Sequence, residues 1–272
     1  MLRTASVVLT LGASITFPAL SAIQFLASDG NKLYRADSTG AVQAAVTLPH
    51  EIQSLTFVPG GLAVPGASGG DIIACARSAV AGSWAVYRVT DAFGVAPSLV
   101  QIGSTNFGVG SMVFAGAELY AVNDTLGPIR VSRLNPANFS VIQTWNTGIN
   151  ATGGGGIAWD SIGQRMLLTN GTANTLMSWT PSGGASTIGA IGFGFSNNGL
   201  EFLNGTLYGA IRPDANGGTL RMGSFNLATG AFTTLATANG ILGNGTGFVA
   251  IPAPGVAALI GLFGLRTAIR RR

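Results

Sequence analysis

Cysteine, histidine and lysine each occur once in the 272 residues, and charged residues make up only 9% of the chain. A single cysteine excludes an intramolecular disulfide and a cysteine-based zinc cluster. Cys75 has the apolar neighbours Ile72, Ile73, Ala74 and Ala76, which predicts a buried, inert thiol. The one histidine, His50 in Leu48-Pro49-His50-Glu51, has no nucleophile motif beside it and reads as an ordinary loop residue. Lys32 is the only lysine, and no phosphate-loop lysine, G-x-S-x-G elbow or H-E-x-x-H helix occurs. Gly153-Gly154-Gly155-Gly156 runs into the strand-like Ile157-Ala158-Trp159 rather than a helix, so it predicts a turn between strands and not a phosphate cradle.

The formal charge of +4 is unevenly placed. Arg3, Arg266, Arg270, Arg271 and Arg272 lie in the terminal segments, whereas all ten acids fall between Asp29 and Asp214. Nine basic residues then face ten acids in the body, which leaves it near neutrality. That excludes the electrostatic footprint of a nucleic-acid binder.

What the chain has in abundance is glycine, 41 residues, within a composition that is 47% hydrophobic. Such a mixture points to many short strands joined by tight turns. A short alternating segment recurs five times: Leu33-Tyr34-Arg35-Ala36-Asp37, Val86-Tyr87-Arg88-Val89-Thr90, Val131-Ser132-Arg133-Leu134-Asn135, Leu176-Met177-Ser178-Trp179-Thr180 and Met222-Gly223-Ser224-Phe225-Asn226. Their third residues are separated by 53, 45, 45 and 46 positions. A second unit, small residues leading to an aromatic, keeps the same phase and ends at Phe57, Phe114, Trp159, Phe202 and Phe248. Turns such as Asn204-Gly205 separate further strands, giving about four strands per period of roughly 45 residues, the size of a propeller blade.

The expected fold is therefore an all-β propeller of about five four-stranded blades over residues 23–251, with the five aromatics packed between neighbouring sheets. A six-bladed propeller and a two-sheet sandwich are the alternatives, the former because the long second repeat has room for extra strands in its loop from Arg77 to Trp84. The stretch from Gly199 to Ala210 also resembles a broad class of bacterial propellers with a paired-strand G-L-A-F and G-x-L-Y-A pattern. That resemblance implies a fold and no chemistry.

The two ends read as addresses. Residues 1–22 carry Arg3, an apolar run and the small residues Ala19, Ser21 and Ala22, the layout of a signal peptide cut by signal peptidase after Ser21 or Ala22. Residues 252–272 open on Pro252-Ala253-Pro254-Gly255, continue through an apolar stretch and close on Arg270-Arg271-Arg272. Fourteen residues of helix span about 21 Å, less than a bilayer core of about 30 Å. This tail resembles the PEP-CTERM sorting signal of Gram-negative bacteria, with Ala253 where that family usually has glutamate. The resemblance implies transient insertion in the inner membrane, an exosortase-type sorting protease as partner, and delivery to the cell surface or outside.

For function, Asp29, Asp71, Asp124, Asn170 and Asp214 are spaced by 42, 53, 46 and 44 residues, between the expected first and second strands of successive repeats. On a radial fold they predict one rim of oxygen ligands, suited to calcium or a sugar, and turn chemistry alone accounts for the same residues. No cofactor motif and no catalytic constellation is legible. The sequence reading is an exported binding protein for a glycan, exopolysaccharide or surface protein. The alternative is a lactonase-like hydrolase with a metal in the central channel, for which Glu51, Glu118 and Glu201 are the nominal acids.

Overall fold

The computed structural model describes residues 23–43, 45–77, 84–123, 127–151, 155–213, 219–239 and 246–252. The expected signal peptide and all of the sorting motif after Pro252 lie outside these residues. Among the described residues there is no α-helix, and hence none long and apolar enough to cross a membrane.

Five antiparallel four-stranded sheets and one two-stranded hairpin hold the strands of the described residues. Blade 1 consists, from the axis outward, of Phe248–Ile251, Gln24–Asp29, Lys32–Asp37 and Val46–Thr47. Blade 2 is Ile52–Phe57, Ile72–Arg77, Trp84–Thr90 and Ser98–Thr105, and blade 3 is Val109–Ala115, Glu118–Asn123, Gly127–Leu134 and Val141–Ala151. Blade 4 is Ile157–Asp160, Arg165–Asn170, Thr175–Thr180 and Gly184–Ala190. Blade 5 is Phe195–Leu203, Thr206–Pro213, Thr219–Phe225 and Phe232–Asn239. The first strands touch their neighbours in both directions round the ring, which is the five-bladed propeller expected. The five recurring alternating segments are the third strands of the blades.

The ring closes where the first and last described strands pair. Phe248–Ile251 supplies the first strand of the blade whose other three strands come from residues 24–47, in register Gln24 with Ile251 and Ala27 with Phe248. Blade 2 also carries an extra hairpin, Ala63–Val64 with Ala67–Ser68, between its first and second strands. The length of the second repeat thus includes a hairpin that precedes the expected place, while residues 78–83 lie outside the described set.

Alternation along each first strand builds the core. Ser54, Ser111, Gly156, Gly199 and Gly247 form one column pointing to the next blade, and Leu55, Met112, Ile157, Leu200 and Phe248 point back to the previous one. Five apolar clusters result, one in each interface between blades, and Phe57, Phe114, Trp159, Phe202 and Phe248 each enter a different one. Burying an aromatic in this way is worth roughly 2–3 kcal/mol. One alignment needs correction: Phe248 stands two residues earlier in its strand than the other four aromatics, whose equivalent there is Ala250. A longer side chain near the axis fills the closing interface where blade 5 contributes only Gly199.

The small column lets the first strands approach closely. A Cβ on Gly199 would lie 2.6 Å from Phe248 N, and one on Gly247 would lie 2.8 Å from Leu55 N. Where the gap is wider, a hydroxyl fills it: Ser54 Oγ accepts Met112 N–H at 2.7 Å from the adjacent blade. At the turn ends, Asn204 and Gly205 both have positive φ, 51° and 81°, the two-residue hairpin geometry that the Asn-Gly pair favours.

Candidate functional site

The turns joining first to second strands and third to fourth strands share one rim, and the crossovers between blades lie on the other. On the first of these rims, blades 3 and 4 enclose a hollow of about 320 Å3. Blade 3 lines it with Ala115, Glu118 and Tyr120 from its first hairpin. Blade 4 adds Trp159 from the end of its first strand, Gln164, Arg165 and Met166 from the following turn and strand, and Trp179, Thr180 and Pro181 from the end of its third.

Strand alternation places the aromatics. Trp159 pairs across the sheet with Met166, and Met166 with Trp179, so all three share one face and meet blade 3. Tyr120 and Trp145 project from blade 3 into the same cluster, with ring centroids 6.3 Å apart; Trp145 meets Trp179 edge-on at 5.9 Å. Tyr120 and Trp179 are buried and fixed, whereas Trp159 stays partly exposed at the wall. Three of the four tryptophans of the chain therefore meet at this one interface.

Polar groups border the aromatics in fixed positions. Tyr120 Oη donates to Glu118 Oε2 at 2.6 Å, and Arg133 donates to Glu118 Oε1 at 2.8 Å. The hydroxyl, and after it the guanidinium, hold the Glu118 carboxyl below its ordinary range against the opposing effect of burial. Burial, reinforced by Glu118, pushes the Tyr120 phenol up to about 12. Across the hollow, Arg165 Nε donates to Asp160 Oδ2 at 3.0 Å, and Asp160 Oδ1 accepts the amides of Ile162 and Gly163, which locks the turn carrying Gln164. Gln164 and Glu118 are exposed. The arrangement offers an apolar wall with an ionised acceptor and amide and guanidinium groups around it. It has no paired acid and base poised on a shared point.

No family model matches the chain, and no curated protein matches it either. Solved structures do, at low identity. A putative 6-phosphogluconolactonase from Bacteroides uniformis is 16% identical over 80% of this chain and 68% of its own, with a TM-score of 0.40. A protein of unknown function from Bacteroides caccae is 10% identical over 84% of this chain and 99% of its own, TM-score 0.48. A chain of the nidogen/laminin complex is 14% identical over 83% and 98%, TM-score 0.45. The site's own residues have to carry the functional argument.

The expected rim of acids is not assembled as such. Asp29 and Asn170 end the second strands of blades 1 and 4, each at the turn into the following strand where the spacing placed it, and share one rim, whereas Asp71 precedes the second strand of blade 2, at the opposite rim. Asp124 and Asp214 lie outside the described residues. Asp29 is fully buried, and its Oδ1 accepts from Arg212 of blade 5 at 3.3 Å, an ion pair across the closing interface. Asn170 Oδ1 accepts Ala173 N–H and Asp71 Oδ2 accepts Ser68 N–H, both turn contacts. No group of three His, Cys, Asp or Glu side chains suited to a metal exists among the described residues.

The three nominal acids are also dispersed. Glu51 lies on a crossover between blades 1 and 2, and Glu118 lines the hollow on the opposite rim. Glu201 stands two residues after Gly199 in its strand, facing blade 1, where other blades have Thr56, Val113, Ala158 and Val249. Burial pushes its carboxyl up to about 8, although the residue as a whole retains some exposure. His50 is exposed and stacks on Tyr87 with centroids 5.1 Å apart, and Cys75 is fully buried, both as expected. The hollow itself was invisible to the spacing argument. Its one sequence signal is the clustering of Trp145, Trp159 and Trp179 within two adjacent repeats.

Proposed function

We propose that this is an exported, cell-surface or matrix-associated protein that binds a glycan without transforming it, through the hollow between blades 3 and 4. The observation that carries the reading is Trp159, partly exposed beside the fixed Tyr120 and Trp179 and bordered by Glu118, Gln164 and Arg165. A sugar ring has an apolar C–H face and an edge of hydroxyls. An aromatic wall next to a few fixed polar groups is the complement of both, and a pocket of this size matches the lower range of small-molecule sites.

The two ends support the cellular setting. A signal peptide at residues 1–22 brings the chain to signal peptidase, and the Pro252, Pro254 and Gly255 motif with the Arg270, Arg271 and Arg272 cluster brings it to an exosortase-type protease. An exopolysaccharide is the matching ligand for a protein delivered by that route. The hydrolase reading has no comparable support, because Glu51, Glu118 and Glu201 lie in three separate places.

Retention of the full chain on exopolysaccharide, compared with Trp159→Ala, tests the proposal. Truncation of a contact aromatic is expected to weaken binding at least about tenfold, near 1.4 kcal/mol, with folding preserved by circular dichroism. Equal retention of the two proteins would remove the hollow from consideration.

A further inference from the structure

We infer that the hollow between blades 3 and 4 takes an uncharged sugar and discriminates against uronates and other acidic glycans. This rests on the glycan reading above and adds the chemical class of the ligand.

Each ionised group at the hollow is already matched by its opposite: Glu118 with Arg133 at 2.8 Å on blade 3, and Arg165 with Asp160 at 3.0 Å on blade 4. Two cations and two carboxylates leave the walls neutral, with no unmatched positive charge for an acidic sugar to meet. Of the four ionised side chains that of Glu118 is moreover the most exposed, with half of its surface accessible against about a third for Arg133 and for Arg165 and almost none for Asp160. A ligand carboxylate entering there meets a fixed negative charge first. A sugar hydroxyl meets an ionised acceptor and donates to it. The body of the protein, near neutral, supplies no long-range field to draw in a polyanion. What remains to hold a ligand is the apolar wall at Trp159 and short-range hydrogen bonds, both of which salt screens weakly.

The experiment measures retention of the full chain on immobilised neutral polymers (a glucan, a mannan and a galactan) and on two polyuronates (alginate and polygalacturonate). Each is run at roughly 0.01 M and 1 M salt, where the screening length falls from about 30 to about 3 Å. The expected result is retention on at least one neutral polymer that changes less than about twofold between the two salt concentrations, with none on the polyuronates. Trp159→Ala and Gln164→Ala each lower it by about tenfold or more. Gln164 is exposed on its turn, so its variant keeps the test valid where Trp159→Ala fails to fold. Retention on polyuronates that collapses at high salt overturns the uncharged class and leaves glycan binding standing. Neutral-polymer retention untouched by both variants overturns the assignment to this hollow. Retention on none of the five polymers overturns the glycan reading together with the inference.

Discussion

Replacing Gly199 by alanine perturbs the ring at the interface where blade 5 meets blade 1. The added Cβ would lie 2.6 Å from Phe248 N, 2.7 Å from Phe248 Cβ and 2.9 Å from Gly247 C. Carbon atoms in contact sit about 3.5–4.0 Å apart, so the two first strands must separate by roughly 1 Å. Two of the three atoms met are backbone and the third is a Cβ, so no side-chain rotation relieves the clash. Overpacking of this kind costs about 1–3 kcal/mol. In a domain of this size each kcal/mol lowers Tm by roughly 2–4 °C, which gives an expected loss of about 2–12 °C. Gly60→Ala is the control, since a Cβ there meets nothing within 4 Å and the residue has no positive φ. It should stay within about 0.5 kcal/mol of the parent. Ser54→Gly completes the set: it removes the hydroxyl that accepts Met112 N–H, leaving a buried donor unmatched at a cost of about 1–3 kcal/mol. Urea and thermal denaturation read all three. A Gly199→Ala protein as stable as Gly60→Ala would refute the claim that the small column sets the approach of the first strands.

Three further outcomes follow from particular residues. Arg212→Met should destabilise the fold by about 3–5 kcal/mol by removing the cation paired with the buried Asp29 carboxylate, and adding Asp29→Asn should recover part of the loss; in urea denaturation, no difference between the single and double variants would contradict it. Glu201, raised to about 8 from an ordinary 4.5, keeps its proton in the folded protein when the unfolded chain has lost it. Its contribution is therefore lost as pH climbs from about 4.5 to 8, and Glu201→Gln should flatten that decline; superimposable pH profiles of the two proteins would count against it. Protein recovered from the cell surface should have an intact mass that starts near Ile23 and lacks Arg270, Arg271 and Arg272, and a mass retaining both ends would contradict the sorting proposal.

The sequence by itself determined the all-β class, the five-fold repeat and the identity of each blade's third strand, because strand alternation and turn chemistry act over a few residues. Asn204-Gly205 is enough to turn a hairpin, and Ser54, Ser111, Gly156 and Gly199 each recur three residues ahead of an aromatic. Only the tertiary structure decided how the ring closes, which moved Phe248 two places within its strand and gave blade 1 a strand from the far end of the chain. The acids show the same division. Equal spacing put Asp71 with Asp29, yet the extra hairpin of blade 2 lies between Phe57 and Ile72, so Asp71 starts its strand where Asp29 ends one. The hollow at Trp159 belongs wholly to the second category: Tyr120 and Trp179 are 59 residues apart in the chain and are brought together by the packing of one blade's face on the next. Such a contact depends on which residues oppose each other across an interface, and no periodicity within either blade encodes it.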